Sequence, residues 1–265
     1  MWTNPDLPPG SETHSYEPSP KDIIEIQNCD VFIYTGGESD AWVADVLASV
    51  GEGVRAVTLM DCVELMEEET VEGMESQEHD HDENGLGEVM ELDEHVWTSP
   101  RNAADITTAI GETLAGIDGS NAEIYRENAA AYAGELENLV QRFADFFAGV
   151  EHPVMVFGDR FPLRYFVERY GVEYYAAFPG CSTQTEPSAA TVAFLTEKVK
   201  TEQIGTVWYI EFSNHLVADS IAEAAGADTA LFHTCHNVTQ DEMDSGATYI
   251  SLMEGNLERL QQAFS

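Results

Sequence analysis

The strongest constraint on this chain is an alternation. Short apolar runs are each followed by a stretch of helical spacing, and the pattern occurs twice, on either side of one long helix. In the first half, Cys29–Tyr34 and Val54–Met60 read as short buried strands around a helix at Ala41–Val50, preceded by a helix at Lys21–Asn28. In the second half the strands are Pro153–Phe157, Tyr174–Phe178, Thr206–Glu211 and Thr229–Phe232. The helices between and after them are Arg164–Tyr170, Ala189–Glu202, Val217–Ala225 and Tyr249–Phe264. Strands too apolar to face water on one side, separated by helices, predict βαβ units and parallel sheets. The expected fold class is α/β, with two doubly wound parallel-sheet lobes.

The two patterns are joined by helices at Asn102–Leu114 and about Asn121–Phe147. In the second of these, Tyr125, Tyr132, Leu136, Leu139, Val140, Phe143 and Phe147 recur at spacings of three and four and form one apolar stripe. Ser120 and Glu123 have the spacing of a capping box at its start. At this length the helix spans roughly 40 Å, enough to act as a rigid connector. The expected organisation is an N-terminal lobe at 1–118, a linking helix at 119–148 and a C-terminal lobe at 149–265.

Residues 64–94 break the alternation. They are dense in Glu and Asp, carry His79 and His81, and read as a long loop. The whole chain is similarly acidic: 49 Asp and Glu against 11 Lys and Arg give a formal charge of −38. Such a surface repels nucleic acid, which binds proteins largely through Lys and Arg, and repels anionic membranes. It attracts cations. No apolar run approaches the roughly 20 residues of a membrane span. Met1–Pro5 lacks the basic start and apolar stretch of a secretory signal.

Candidate ligands for a cation fall in loops or at strand ends. His14 lies in the N-terminal loop, His95 just after the acidic loop, Asp159 after the strand ending at Phe157, Glu211 at a strand end, and His233 and His236 after Phe232. Imidazole nitrogen and carboxylate oxygen are the donors zinc accepts in tetrahedral sites. The four cysteines, Cys29, Cys62, Cys181 and Cys235, form no C-x-x-C unit. They are either buried thiols or two disulfides, for which their flanks favour the pairs 29–62 and 181–235.

Several segments then carry a resemblance. Pro8-Pro9-Gly10 through His14-Ser15-Tyr16-Glu17-Pro18-Ser19-Pro20-Lys21-Asp22 resembles the "PPG…PHDYEPSPKD" segment of the cluster A-I solute-binding proteins of zinc and manganese ABC transporters. Cys29–Gly37 resembles that family's next strand and turn, and His95-Val96-Trp97-Thr98-Ser99-Pro100-Arg101-Asn102-Ala103 resembles its "HVWLDPKNA". Further landmarks are Ser120–Ala129, Glu186-Pro187-Ser188 and Tyr249–Leu257, so the likeness runs along almost the whole chain. It implies a periplasmic-binding-protein type of receptor rather than an enzyme. Such a receptor is an extracytoplasmic monomer, lipid-anchored in its full-length form, that captures Zn²⁺ between two lobes and delivers it to an ABC transporter membrane permease.

The resemblance implies His14 and His95 as ligands from the first lobe. At the family's third-ligand position stands Gly158, with two residues inserted relative to the family's segment, and His233 aligns with the family's fourth, acidic ligand. The expected site is therefore His14, His95 and His233, completed by Asp159 or His236, with a Cys235 thiolate as an alternative donor. A 181–235 disulfide would pin the His233 loop, and His79 and His81 would form an accessory metal loop. Arg160 is expected to pair with a nearby acid. The family's opening strand, helix and signal have no counterpart before Pro8, so the chain reads as N-terminally shortened.

An imidazole-rich site favours Zn²⁺ over Mn²⁺, which prefers oxygen donors. A manganese receptor of the same family stays open at this point. So does a zinc-dependent hydrolase using Asp159 or Glu211 as base, although no H-E-x-x-H is present. The third alternative is an acidic adhesin or interaction module.

Overall fold

The computed structural model describes residues 9–10, 16–50, 53–75, 91–182 and 186–265. The first half builds α1 (Pro20–Gln27), β1 (Val31–Tyr34), α2 (Ala41–Val50) and β2 (Arg55–Thr58). The strands pair in parallel, with Val31 opposite Arg55. α1 begins where the sequence supplies a capping box: Ser19 and Asp22 bond each other's backbone N–H, and Pro20 opens the helix. Ile26, Phe32, Val43 and Val46 bury a small core between these helices and the sheet. Two short 3-10 turns follow, Met60–Cys62 and Val96–Thr98.

Next come α3 (Pro100–Ile117) and the long α4 (Ala122–Phe147). The cap of α4 differs from the expected box at Ser120 and Glu123. The cap residue is Asn121, whose Nδ2 donates to Asp118 Oδ2 at 2.7 Å. The apolar stripe is buried only in the C-terminal half of the helix, at Leu136, Leu139, Val140, Phe143 and Phe147. Earlier in the helix Tyr132 is exposed, because there α4 packs chiefly on α3.

The second half consists of β3 (Val154–Phe161), α5 (Arg164–Tyr170), β4 (Glu173–Pro179), α6 (Ala189–Thr201), β5 (Thr206–Ile210), α7 (Leu216–Ala225), β6 (Asp228–Phe232), α8 (Gln240–Ser245) and α9 (Tyr249–Ala263). The four strands form a parallel sheet in the order β4-β3-β5-β6. Alternate residues feed two cores. Phe157, Tyr174, Ala176 and Trp208 join Phe143 and Phe147 of α4, Phe166 of α5 and Leu257 of α9 on one face. Val156, Tyr175, Ala177 and Val207 join Leu195 of α6 and Ile221 of α7 on the other. Both faces are therefore covered, as expected of strands that are apolar at every position. Each fully buried Phe or Leu in these layers contributes about 1.5–3 kcal/mol.

β3 runs four residues beyond the expected end at Phe157 and is irregular there. Phe157 pairs with Ala176 but Arg160 pairs with Phe178, so the longer stretch on β3 is a bulge. Gly158 lies within it, where a Cβ would come within 2.4 Å of the Ala218 backbone on α7. No helix among the described residues is long and apolar enough to cross a membrane.

Candidate metal centre

The strand order contains a switch. From β3 the chain moves out to β4, then returns past β3 to build β5 and β6 on the other side. Crevices at the carboxyl ends of strands flanking such a switch are where open α/β sheets bind ligands. A cavity of about 200 Å³ lies there. Arg160 enters from β3, Gly180 from just after β4, Glu211 from the end of β5, and Thr234 and His236 from the loop after β6. His95, from the first half of the chain, closes it.

His95 is 1% exposed and held at both ends. Its backbone N–H donates to Asp93 Oδ1 at 2.8 Å, and its ring Nδ1 lies 3.1 Å from the same oxygen. Its Cε1 would lie 3.1 Å from a Cβ built on Gly180, a close approach that a glycine permits there. A carboxylate on Nδ1 sets the tautomer and leaves Nε2 as the ligating nitrogen, the arrangement found around metal-bound histidines. Burial alone would pull the His95 imidazole down, but Asp93, with Glu94 and Glu68 behind it, outweighs burial, and the net shift is upward.

His236 faces His95 from the other half, with ring centroids 5.8 Å apart. Trp97 packs edge-on against the His236 ring at 5.2 Å, and its Nε1 donates to Thr234 O at 3.1 Å. The loop carrying His236 is clamped by the buried Glu211. This carboxylate accepts from Thr234 N at 2.7 Å, Thr234 Oγ1 at 2.6 Å and His236 N at 3.0 Å. Cys235 and Phe212, each next to one of these groups, hold left-handed backbone at φ 61° and 62°. Neither is glycine, so each conformation costs about 1–3 kcal/mol that the surrounding bonds must offset.

The other expected site residues lie elsewhere. Asp159 turns to the backbone, accepting from Arg160 N at 2.8 Å and Ile210 N at 3.3 Å, so it ties β3 to β5. His233 is buried behind the loop. Asn256 grips its backbone on both sides, accepting from His233 N at 2.8 Å and donating to His233 O at 2.7 Å. The His233 ring accepts from Cys235 N through Nδ1 at 3.0 Å, and its Nε2 lies 3.5 Å from Glu242 Oε1, an ion-pair distance rather than a hydrogen bond. Nδ1 is thus taken by the backbone, while the buried Nε2 has no hydrogen-bond partner among the described residues. His14, His79 and His81 lie outside the described residues. Among the described residues, no three His, Cys, Asp or Glu side chains converge closely enough to hold a metal ion.

The cysteines correct an expectation: Cys29, Cys62, Cys181 and Cys235 are all free thiols. Cys29 donates to Ile26 O at 3.1 Å within the α1–α2 core, whereas Cys62 donates to Thr58 O at 3.4 Å and packs in the separate cluster around Val96 and Tyr165. Cys181 lies 3.8 Å from Glu94, while Cys235 lies against His233 O at 4.0 Å beside the aromatic core. Burial pushes all four thiols up, Cys235 most completely enclosed, which opposes a Cys235 thiolate donor. The Cys235–His236 loop is held by Glu211 and Asn256 instead of a disulfide.

Comparison with known proteins shows the family. Residues 7–263 match the family described as ZnuA, zinc-uptake complex component A, periplasmic. The chain belongs to the ZnuA family. The resemblance to zinc-type solute-binding proteins read from the sequence is thereby confirmed, as is the α/β fold with parallel sheets and long helices. One ZnuA-family relative is the zinc-binding lipoprotein AdcA of Streptococcus pneumoniae, 31% identical over 253 residues, covering 96% of this chain and 49% of AdcA. The chain thus spans about half the length of the AdcA proteins it matches. Another is the high-affinity zinc uptake system protein ZnuA of Bacillus subtilis, 31% identical over 258 residues, covering 97% of this chain and 79% of that protein. The crystal structure of the Zn(II)-bound ZnuA-like domain of S. pneumoniae AdcA superposes with a TM-score of 0.76 at 28% identity, covering 97% of this chain and 88% of that domain.

The sequence reading did not give the contacts made by three groups. Asp93 sits two residues before His95 but at the end of an acidic run that hides it among other carboxylates. Glu211 was legible as a strand-ending acid, but not as a clamp. Asn256 was visible only as part of the Tyr249–Leu257 resemblance, and its grip from a helix on a loop 23 residues earlier was not.

Proposed function

We propose that this chain captures a zinc ion between two lobes and hands it to the membrane permease of an ABC importer. The observation that carries this reading is the pair His95 and His236. The rings come from opposite halves of the chain, meet edge-on at 5.8 Å in the wall of one cavity, and His95 is set for ligation by Asp93. The proposed ligands are His95, His236 and His14. Gly10 supports the last of these, because it lines the same cavity and its N–H donates to Val238 O at 2.9 Å, four residues before His14 in sequence. Asp93 and Glu211 orient the ligands, whereas Asp159 and His233 hold the strand ends and loop that present them.

In this reading the two lobes are residues 1–118 and 149–265, and α4 between them limits their relative movement. The relatives named zinc-binding lipoprotein and zinc uptake protein support zinc as cargo and an extracytoplasmic, lipid-anchored form. They also support a receptor rather than a catalyst. The acidic stretch with His79 and His81 is an accessory cation collector in this scheme.

The test is elemental analysis after purification without chelator and dialysis against competing Mn²⁺. One zinc per chain, lost in His95→Ala, His236→Ala and His14→Ala, is expected. Manganese retained over zinc, or zinc untouched by the first two changes, overturns the reading.

A further inference from the structure

Most of the residues lining the cavity are buried or half-buried, but two are exposed, Gly10 and Phe212. They are neighbours: a Cβ built on Gly10 would lie 3.8 Å from Cε1 of the Phe212 ring. Gly10 also bonds Val238 O, in the loop that carries His236, so that loop and Phe212 flank it. A group that lines a cavity and also faces solvent stands between the two. Glycine brings no side chain, so the side chain at this mouth is the phenyl ring of Phe212, a residue 45% exposed.

The ring is placed by backbone. Phe212 holds φ 62°, a conformation open to glycine and strained for phenylalanine. The turn around it is fastened on both sides. Glu211 before it is bonded to Thr234 and His236, and the N–H of Ser213 after it donates to Ile210 O at 3.4 Å. A glycine would hold this turn without strain and would leave the mouth without a side chain. Strain kept at the edge of a binding cavity points to a function for the group it holds.

Resting on the zinc reading above, we propose that Phe212 is the gate of the cavity: its ring sets how fast the ion enters and leaves, without binding it. A divalent ion arrives hydrated, and an apolar ring offers no hydrogen bond to its waters, so passage is opposed from either direction. The ligands behind the ring set the affinity.

The experiment compares the full chain with Phe212→Ala, Phe212→Gly and Phe212→Leu by stopped flow. Capture is followed as loss of free Zn²⁺ from a fluorescent indicator. Release is followed by mixing loaded protein with excess chelator, at concentrations where the rate no longer depends on it. A side chain that stands in the path without touching the bound ion changes the barrier equally from both sides. Phe212→Ala should therefore speed capture and release alike, each by about tenfold, and leave the dissociation constant within about twofold. Phe212→Leu, which keeps apolar bulk, should stay near wild type. Phe212→Gly should match Phe212→Ala in rates yet melt above it, because left-handed backbone suits glycine. It also carries the comparison if Phe212→Ala does not fold. Unchanged rates in the alanine and glycine variants overturn the gate and leave the zinc reading intact. So does faster release with unchanged capture and a proportional loss of affinity, which would make Phe212 a support for the Glu211 clamp. Zinc bound by none of the four proteins overturns both.

Discussion

At the scale of single residues, the imidazole of His95 depends on its neighbours more than on its own chemistry. Asp93 meets it twice, at the backbone and at Nδ1, and Gly180 leaves room for the ring on one side. Orienting carboxylates of this kind are worth about 10–100-fold in metal affinity. Asp93→Asn is therefore expected to weaken zinc binding by about that factor without changing the stoichiometry, as read by competition titration. His233→Ala tests the other side of the assignment. It removes a ring whose nitrogens face Cys235 and Glu242, so its effect should appear in melting temperature before it appears in zinc content. Loss of zinc at unchanged stability would return His233 to the ligand set. How much of the centre was legible follows the same division. Residues with an imidazole to offer, His95 and His236, were visible because their side-chain chemistry is scarce. Those acting through backbone contacts, Asn256 and Asp93, were not, because a hydrogen bond to a distant main chain leaves no local pattern.

At the scale of elements, the apolar strands and helices followed their sequence spacing closely. α5 occupies Arg164–Tyr170 and α2 occupies Ala41–Val50 as expected. The departures have physical causes. Gly158-Asp159-Arg160 looks like a turn, but pairing with β4 and Asp159's bonds across to β5 carry the strand through it. α8 is too short to show a period, and is held by a Thr239–Glu242 capping box. Gly158→Ala should destabilise the protein by about 1–3 kcal/mol, the usual range for overpacking, because its Cβ meets the α7 backbone. Gly158→His should do the same without adding a zinc ligand. At α1, hydrogen bonds from Ser19 and then Tyr16 hold the Asp22 carboxyl below its ordinary value of 3.8. A depressed carboxyl stabilises above its unfolded value, and that contribution is lost as pH falls through the lower, folded one. Asp22→Asn should thus cost about 1 kcal/mol at neutral pH. The gap between the two proteins should close on acidification below the ordinary value, measured by denaturation at a series of pH values.

At the scale of the whole molecule, a charge of −38 sets the terms. Three of the few cations tie helices together. Arg101 pairs with Glu137 and Arg126 with Glu112 between α3 and α4, and Arg142 pairs with Glu254 between α4 and α9. These exposed pairs are each worth about 0–1 kcal/mol, too little to offset the mutual repulsion of so many carboxylates. Added salt screens that repulsion: the Debye length falls from about 30 Å at 0.01 M to about 3 Å at 1 M. Melting temperature should therefore rise across that range, and a flat or falling curve would show that self-repulsion is not what limits stability. The same screening should slow zinc capture, since the attraction of the acidic surface for cations weakens with ionic strength.

The bulge in β3 has one more consequence. In a strand, the direction of a side chain is a matter of odd or even count, so which residue reaches the cavity depends on how many residues lie between the last regular pair and the wall. Here the count delivers Arg160. Gaining or losing a single residue in that stretch would hand the position to a neighbour with quite different chemistry, and by the same count it would turn Phe161 away from Tyr174 in the core. The chemistry offered at this wall is thus tied to the packing of the sheet behind it.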